Sequence, residues 1–184
     1  MINQANTEFE TKVVDFDVGE IISKLRKLGA EETPEYLARR YVFDMESENS
    51  EWIRLRTNGT KTTIAYKYKV IGNIEVGKTV EIEVVVDDFD KTAEIFKKLP
   101  FHRTFYQENK NHVFHLKDIE FSIDTWPHIE PYMEIEASSK DKVAEGLELL
   151  GLIGKDVGDL DVGILYEKKG IDIHAYEELK FEDA

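Results

Sequence analysis

The chain contains no cysteine, which excludes a disulfide framework and thiolate chemistry. It has no apolar run near the ~18 residues that read as a membrane span, and its N-terminus shows no signal-peptide pattern. No low-complexity linker marks a second domain. Basic residues are scarce: 24 Lys and Arg against 38 Asp and Glu leave a formal net charge of -14. That deficit argues against nucleic-acid phosphate or an anionic membrane as the main partner, although net charge does not exclude a local basic site. The expectation is a soluble, cytoplasmic protein. Its 184 residues fit one domain over 1–184, with 168–184 as a C-terminal extension of it. Hydrophobic residues make up 41%, enough for a core, and charged residues 34%, well above the usual quarter.

The hydrophobic periodicity alternates between strand and helix. Strands are predicted over 8–14, 36–44, 52–57, 61–70, 78–86, 102–109, 112–116, 119–125 and 132–137. Asn58-Gly59 is a strong hairpin turn. Three amphipathic helices follow from capping signals. The first starts at Asp17 and closes at Gly29. The second starts at Asp87 or Asp88, presents Phe89, Ala93, Phe96 and Leu99, and stops at Pro100. The third starts at Ser138 or Ser139, turns Val143, Leu147 and Leu150 inward, and ends at Gly151. The stretch from Tyr176 to Phe181 reads as a short helix. The pattern is α+β: an antiparallel-rich sheet with three helices.

Three strands share a signature. Glu8-Phe9-Glu10, Glu81-Ile82-Glu83 and Glu134-Ile135-Glu136 each put two carboxylates on one face, because residues i and i+2 of a strand point the same way. Other strands alternate with bases. Glu10 shares its face with Lys12, and Arg54 pairs with Arg56, Lys67 with Lys69, and Ser122 with Asp124. Arg103 shares a face with Phe105 and Gln107. The helices can cover the apolar faces. The charged faces then turn to water or, if the sheet curls on itself, converge on one lumen. About eight strands suffice to close a barrel around one small ligand.

Such a lumen would hold Glu8, Glu10, Glu81, Glu83, Asp124, Glu134 and Glu136 beside Lys12, Arg54, Arg56, Lys67, Lys69 and Arg103. Seven acids against six bases make ionisation tolerable, yet uncompensated buried charge costs several kcal/mol per ion. This much facing charge points to a highly charged ligand. Oxygen-only pairs suit hard cations such as Mg²⁺ or Mn²⁺, and clustered Lys and Arg suit phosphate oxygens. Together they describe a polyphosphate site, in which a triphosphate bridges the two sets. Other motifs carry less. His112 and His115 point to opposite faces of a strand, Asp87-Asp88 is a helix cap, and Trp126-Pro127 shapes a loop.

Glu8-Phe9-Glu10-Thr11-Lys12 resembles the E-x-E-x-K signature of the CYTH, or triphosphate tunnel metalloenzyme, superfamily. The later order resembles it too: Trp52-Ile53-Arg54-Leu55-Arg56, a Lys-bearing strand, Glu81-Ile82-Glu83, Arg103, Asp124 and Glu134-Ile135-Glu136. Arg39-Arg40-Tyr41-Val42-Phe43-Asp44, Trp126-Pro127 and Gly170-Ile171-Asp172 are similar to the branch labelled class IV adenylate cyclase-like. The resemblance implies an eight-stranded antiparallel closed tunnel with helices packed outside, and dependence on Mg²⁺ or Mn²⁺. It implies a triphosphate substrate, either hydrolysed (tripolyphosphate or a nucleoside triphosphate such as ATP) or cyclised to cyclic AMP and pyrophosphate. A non-catalytic polyphosphate-binding module is the third alternative.

On this reading Glu8, Glu10, Asp124, Glu134 and Glu136 are metal ligands. Arg40, Arg54, Arg56, Lys67, Lys69 and Arg103 bind substrate, together with Lys12, which is also catalytic, either through a bound phosphate, an oriented water or, if its pKa is depressed, as a general base. Glu81 and Glu83 either orient the bases or touch metal. Val14 stands where some branches place a further base, so that phosphate contact is either absent or supplied from elsewhere, such as by Arg39 or Arg40. Tyr166 is a candidate for the tunnel mouth. A homodimer through an exposed sheet edge or the tail is compatible with the chain.

Overall fold

The computed structural model describes residues 9–45, 51–69 and 79–182. The chain forms two compact units, residues 1–36 with 110–172 and residues 37–109 with 173–184.

The first unit opens with β1 (Phe9–Val13), α1 (Val18–Lys27) and the short β2 (Glu31–Glu32). Its remainder comes from the second half of β7 (Arg103–Leu116), then β8 (Ile119–Thr125), β9 (Tyr132–Ala137), α3 (Lys140–Leu150), β10 (Asp156–Gly158) and α4 (Val162–Lys168). The strands run in the order β10-β1-β9-β8-β7, and β2 also pairs with β7. One face is apolar: Val13, Phe121, Ile123, Met133 and Ile135 pack under Ile21 and Leu25 of α1 and Val143, Leu147 and Leu150 of α3. Helix starts match their caps. The Asp17 carboxylate accepts the Glu20 N–H at 2.7 Å, and the Ser139 hydroxyl accepts the Lys142 N–H at 3.3 Å. Gly151, with φ 66°, ends α3 in the left-handed conformation that glycine tolerates. Gly146 lets α3 lie close on the sheet, since a Cβ there would stand 2.8 Å from Cγ2 of Ile135.

The second unit holds β3 (Tyr36–Asp44), β4 (Glu51–Thr57), β5 (Thr62–Lys69), β6 (Thr79–Val86), α2 (Phe89–Phe96) and the first half of β7. Their order is β7-β3-β4-β5-β6. The Asn58-Gly59 hairpin forms as expected: the Asn58 side chain accepts the Thr60 and Lys61 N–H groups at 3.0 and 2.8 Å, and Gly59 takes φ 89°. Phe43, Leu55, Phe89 and Ala93 form the core, joined by Tyr41, Ile53, Phe96 and Phe101. The α2 helix leaves Ile82 and Val84 of the terminal strand β6 exposed. The tail adds a 3₁₀ turn (Ile173–Ala175) and β11 (Glu178–Leu179). β11 pairs parallel with β7 at Tyr106 and Gln107, opposite the edge that β7 gives to β3, and Leu179 is buried.

The strands hydrogen-bond as one largely antiparallel sheet because β7 belongs to both ladders. The α+β class and the antiparallel sheet are as expected, with helices on the apolar faces. Among the described residues the count is eleven strands instead of eight, and the ladder ends at β10 and β6 without closing. Residues 102–109 and 112–116 are one strand, not two, since Asn109-Lys110-Asn111 continues the ladder. Residues 176–181 form no α-helix, whereas α4 forms where none was expected. Leu99 lies beyond the end of α2 and is exposed. No described helix is long and apolar enough to cross a membrane.

Candidate functional site

The first unit's charged face is built by strand register. Lys12 of β1 sits directly across from Glu134 of β9, and Glu10 across from Glu136. Ser122 of β8 flanks Glu134 on its other side. The Lys12 ammonium, on a side chain only 5% exposed, lies 3.1 Å from Glu10 and 3.2 Å from Glu134. A residue that alternation did not mark joins them: Asp159, from the turn after β10, lies 3.7 Å from Lys12 and near enough to Glu10 to raise its carboxyl.

Electrostatics follow from this crowding. Burial, the contact with Asp159 and the nearby Glu134 push the Glu10 carboxyl up to about 7, against the pull of Lys12. Burial opposes the charge on Lys12, but Glu134 and Glu10 outweigh it and raise its pKa above the ordinary value. The depressed pKa that a general-base role would require is not seen, and the carboxylates shift Lys12 the other way. Its carboxylates favour the charged form of Lys12, which in this arrangement donates a hydrogen bond to Glu10.

Asp124 is buried at 5% exposure. It accepts the Asn111 amide at 2.6 Å and the Ser122 hydroxyl at 2.9 Å. Glu8 lies outside the described residues.

The bases gather in the second unit. Register on β4, β5 and β6 sets Arg54 beside Ala65, Lys67 beside Glu81 and Ala65 beside Glu83. Lys67 meets Glu81 at 2.9 Å, Arg54 meets Glu81 at 3.1 Å, and Arg56 meets Glu83 at 3.7 Å. The middle E-x-E pair thus engages bases. Arg54 is mostly buried, and its Nε has no hydrogen-bond partner among the described residues. Burial, then Arg56 and Arg40, bring the Arg54 guanidinium down to about 10 despite Glu81 and Glu83. Burial, then Arg54, likewise lowers Lys67. These cations are crowded and incompletely compensated, a setting that favours an added anion.

Arg40 pairs with Arg56 across β3 and β4 and donates to the Asn109 side chain. Arg39, one residue earlier, takes the opposite face, lies 4.6 Å from the Phe89 ring centre and meets Asp90 at 3.4 Å. Of the two candidates for the missing base, Arg40 is the one on the charged face. Arg103 is exposed and lays its guanidinium 5.6 Å from the Phe105 ring centre. The Lys69 side chain lies outside the described residues. Tyr166 is fully buried and donates to the Pro127 carbonyl at 2.6 Å, so it braces the loop after β8 and does not stand at a mouth. His112 and His115 meet different carboxylates, Glu32 and Glu120, and form no metal pair.

Among the described residues, no three acidic or histidine side chains already stand together as a metal-holding set. Lys12 occupies the point on which Glu10, Glu134 and Asp159 converge. The side chains around that point, Glu10, Glu134 and Asp159, offer oxygen donors alone. Oxygen donors are the ligand type that a hard divalent cation takes.

Known proteins share this arrangement of elements. The PH1012 protein of Pyrococcus horikoshii superposes with a TM-score of 0.64 at 21% identity, covering 84% of this chain and 96% of that one. HpAC1 of Hippeastrum, described as a "Putative adenylyl cyclase" with a dominant triphosphatase activity, superposes with a TM-score of 0.52 at 13% identity, covering 89% and 95%. At these identities the likeness is one of fold. In sequence, the Methanocaldococcus jannaschii protein named "Putative adenylate cyclase MJ0240" is 29% identical over 151 residues, covering 75% of this chain and 83% of that one. The CYTH domain profile matches residues 6–158, a span that takes in the E-x-E-x-K strand, the basic strands and both later E-x-E strands. The chain belongs to the CYTH domain family.

Proposed function

We propose that the protein is a divalent-metal-dependent enzyme that hydrolyses inorganic tripolyphosphate or a nucleoside triphosphate. The observation that carries this reading is the charged Lys12 ammonium held between Glu10 and Glu134 on adjacent strands. A carboxylate cluster with a fixed cation at its centre suits the metal end of a polyphosphate. Glu10 and Glu134 would hold Mg²⁺ or Mn²⁺, together with Glu8 and Glu136. Asp124, held by Asn111 and Ser122, backs the same face. The bound ion would screen phosphate charge and polarise the attacking water.

The chain's own residues do the rest. Arg54, Arg56, Lys67 and Arg40 bind phosphate oxygens, with Lys69 and Arg103 as further contacts, and Glu81 and Glu83 hold the bases in place. The partly desolvated Arg54 gains from an arriving oxyanion, because its buried Nε has no hydrogen-bond partner among the described residues and Arg56 and Arg40 stand nearby. Lys12 donates hydrogen bonds to a phosphate oxygen or to the attacking water and stabilises charge that develops on them. Since its proton is held firmly, the proton lost by water goes to a carboxylate or to solvent. The new bond joins the water oxygen to phosphorus, and the bridging P–O bond breaks.

The name of the M. jannaschii relative favours a second reading, in which a ribose hydroxyl replaces water and the products are cyclic AMP and pyrophosphate. Incubating the protein with Mg²⁺ or Mn²⁺ and ATP or tripolyphosphate, then resolving products, separates the readings. Free phosphate is expected. Cyclic AMP with pyrophosphate would replace hydrolysis by cyclisation. Tight binding without turnover would overturn both and leave a polyphosphate-binding module.

A further inference from the structure

Asn109 breaks a local rule. It lies inside β7, where β-branched and aromatic side chains fit better than asparagine, and it is only 1% exposed. A buried amide costs free energy unless its hydrogen bonds are made within the protein. The Asn109 side-chain oxygen accepts a hydrogen bond from Nη2 of Arg40. Both residues belong to the second unit, as do the other bases of the cluster.

Strand order gives that bond its direction. β3 lies between β7 and β4, and Arg40 of β3 stands directly opposite Arg56 of β4. Like charges paired across two strands repel. Burial, then Arg56 and Arg40, bring down the Arg54 guanidinium, so the three cations feel one another. A long arginine side chain has many rotamers with which to swing away from such a neighbour. Asn109 takes hold of it from the β7 flank. On the β4–β6 side the bases are held by carboxylates: Glu81 meets Lys67 and Arg54, and Glu83 meets Arg56. Asn109 holds Arg40 with a neutral oxygen, and so adds no negative charge to the cluster.

We propose that Asn109 is a positioning residue for phosphate binding: it fixes the Arg40 guanidinium beside Arg54 and Arg56, ready for an oxyanion, without offsetting its charge. This rests on the reading of the basic cluster as phosphate-binding. An arriving phosphate then meets a side chain whose freedom is already restricted, which is how preorganisation raises affinity.

The test is equilibrium dialysis of tripolyphosphate in EDTA at low salt, so that metal-dependent turnover does not intervene. Wild type is compared with Asn109→Leu, Asn109→Asp, Arg40→Met, Arg54→Met and the double variant Asn109→Leu/Arg40→Met, each checked for folding by circular dichroism. Asn109→Leu and Arg40→Met are each expected to raise the Kd on the order of tenfold. The double variant should bind no worse than either single one, because Asn109 acts through Arg40. Asn109→Asp keeps the shape and the acceptor but sets a carboxylate against Arg40, and it should also bind more weakly. A wild-type Kd in folded Asn109→Leu, with Arg54→Met impaired, reduces Asn109 to a packing role and overturns the proposal while the cluster reading stands. Losses that multiply in the double variant overturn it too, since Asn109 would then act apart from Arg40. If Asn109→Leu fails to fold, Asn109→Asp decides: a wild-type Kd there overturns the proposal. Failure of wild type to bind tripolyphosphate overturns the cluster reading, and this proposal with it.

Discussion

Replacing Lys12 with methionine should separate the two tasks of the carboxylate cluster. The ammonium makes ion pairs at 3.1, 3.2 and 3.7 Å. Each is worth about 4 kcal/mol in gross Coulomb energy at an effective dielectric near 20, and burying the ammonium costs several kcal/mol in return. Removing one partner of a fully buried pair costs roughly 3–5 kcal/mol, because the other charge is stranded. Here the stranded groups are not fully buried. Glu10 and Glu134 are 33% and 29% exposed and Asp159 is 69% exposed, so water or a proton can relieve them.

A loss of about 2 kcal/mol is the reasoned outcome, which for a chain of this size lowers the melting temperature by about 4–8 °C. Mn²⁺ should reverse it, since the variant offers the same oxygens with no ammonium competing for them. An ion at about 100 times its Kd adds roughly 2.7 kcal/mol. Scanning calorimetry with and without Mn²⁺ should therefore show a larger rise for Lys12→Met than for wild type, while turnover of tripolyphosphate collapses. Equal melting of variant and wild type without metal, or a larger Mn²⁺ response in wild type, would refute the reasoning. Retained wild-type turnover would remove Lys12 from the catalytic machinery.

Three other outcomes are expected. Gly146→Ala gains about 1 kcal/mol of helix propensity but drives a Cβ to 2.8 Å from the Ile135 branch methyl. Overpacking of about 1–3 kcal/mol should win, lower the melting temperature, and be partly relieved by Ile135→Leu, which lacks that methyl; a more stable Gly146→Ala would show that α3 can lift away freely. Deleting residues after Asp172 removes the buried Ile173 and Leu179 and uncovers the β7 edge, so denaturant titration should show a loss of roughly 3–6 kcal/mol; an unchanged midpoint would mean the tail is not part of the core. The third concerns pH. With its carboxyl raised from an ordinary 4.5 to about 7, folded Glu10 binds a proton that the unfolded chain has released. Its contribution to apo stability is complete below pH 4.5 and is lost as pH rises through about 7, while Mn²⁺ affinity should climb over the same interval as the proton leaves. Calorimetry and Mn²⁺ titration at pH 5 and pH 8 check both signs.

Strand parity carried most of the candidate site. The E-x-E-x-K order decides that Glu10 and Lys12 share a face, and the same rule pairs Arg54 with Arg56 and Glu81 with Glu83, because side-chain direction in a strand has a period of two whatever the strand pairs with. Capping residues placed the starts of α1, α2 and α3 for a similarly local reason. Other features depend on contacts distant in sequence. Whether Arg39 or Arg40 joins the bases is a matter of parity, but the role of Arg39 became visible once α2 brought Phe89 and Asp90 beneath it. Continuity of β7 through Asn109-Lys110-Asn111 was hidden because polar residues that look like a turn are paired with Thr125 and Asp124 across β8.

The amino-acid sequence by itself determined the α+β class, the charged and apolar faces of each strand, and the family to which the chain belongs, since all three rest on residue type and spacing. Only the tertiary structure decided which opposite charges meet. It set Lys12 between Glu10 and Glu134, gave Glu81 to Lys67 and Arg54, buried Tyr166 against the Pro127 carbonyl, and brought Asp159 from 147 positions away in the numbering to the ammonium of Lys12. Those meetings depend on strand order, register and one slip at Gly158, which are fixed by cooperative packing across the chain and leave no mark in any local stretch of it.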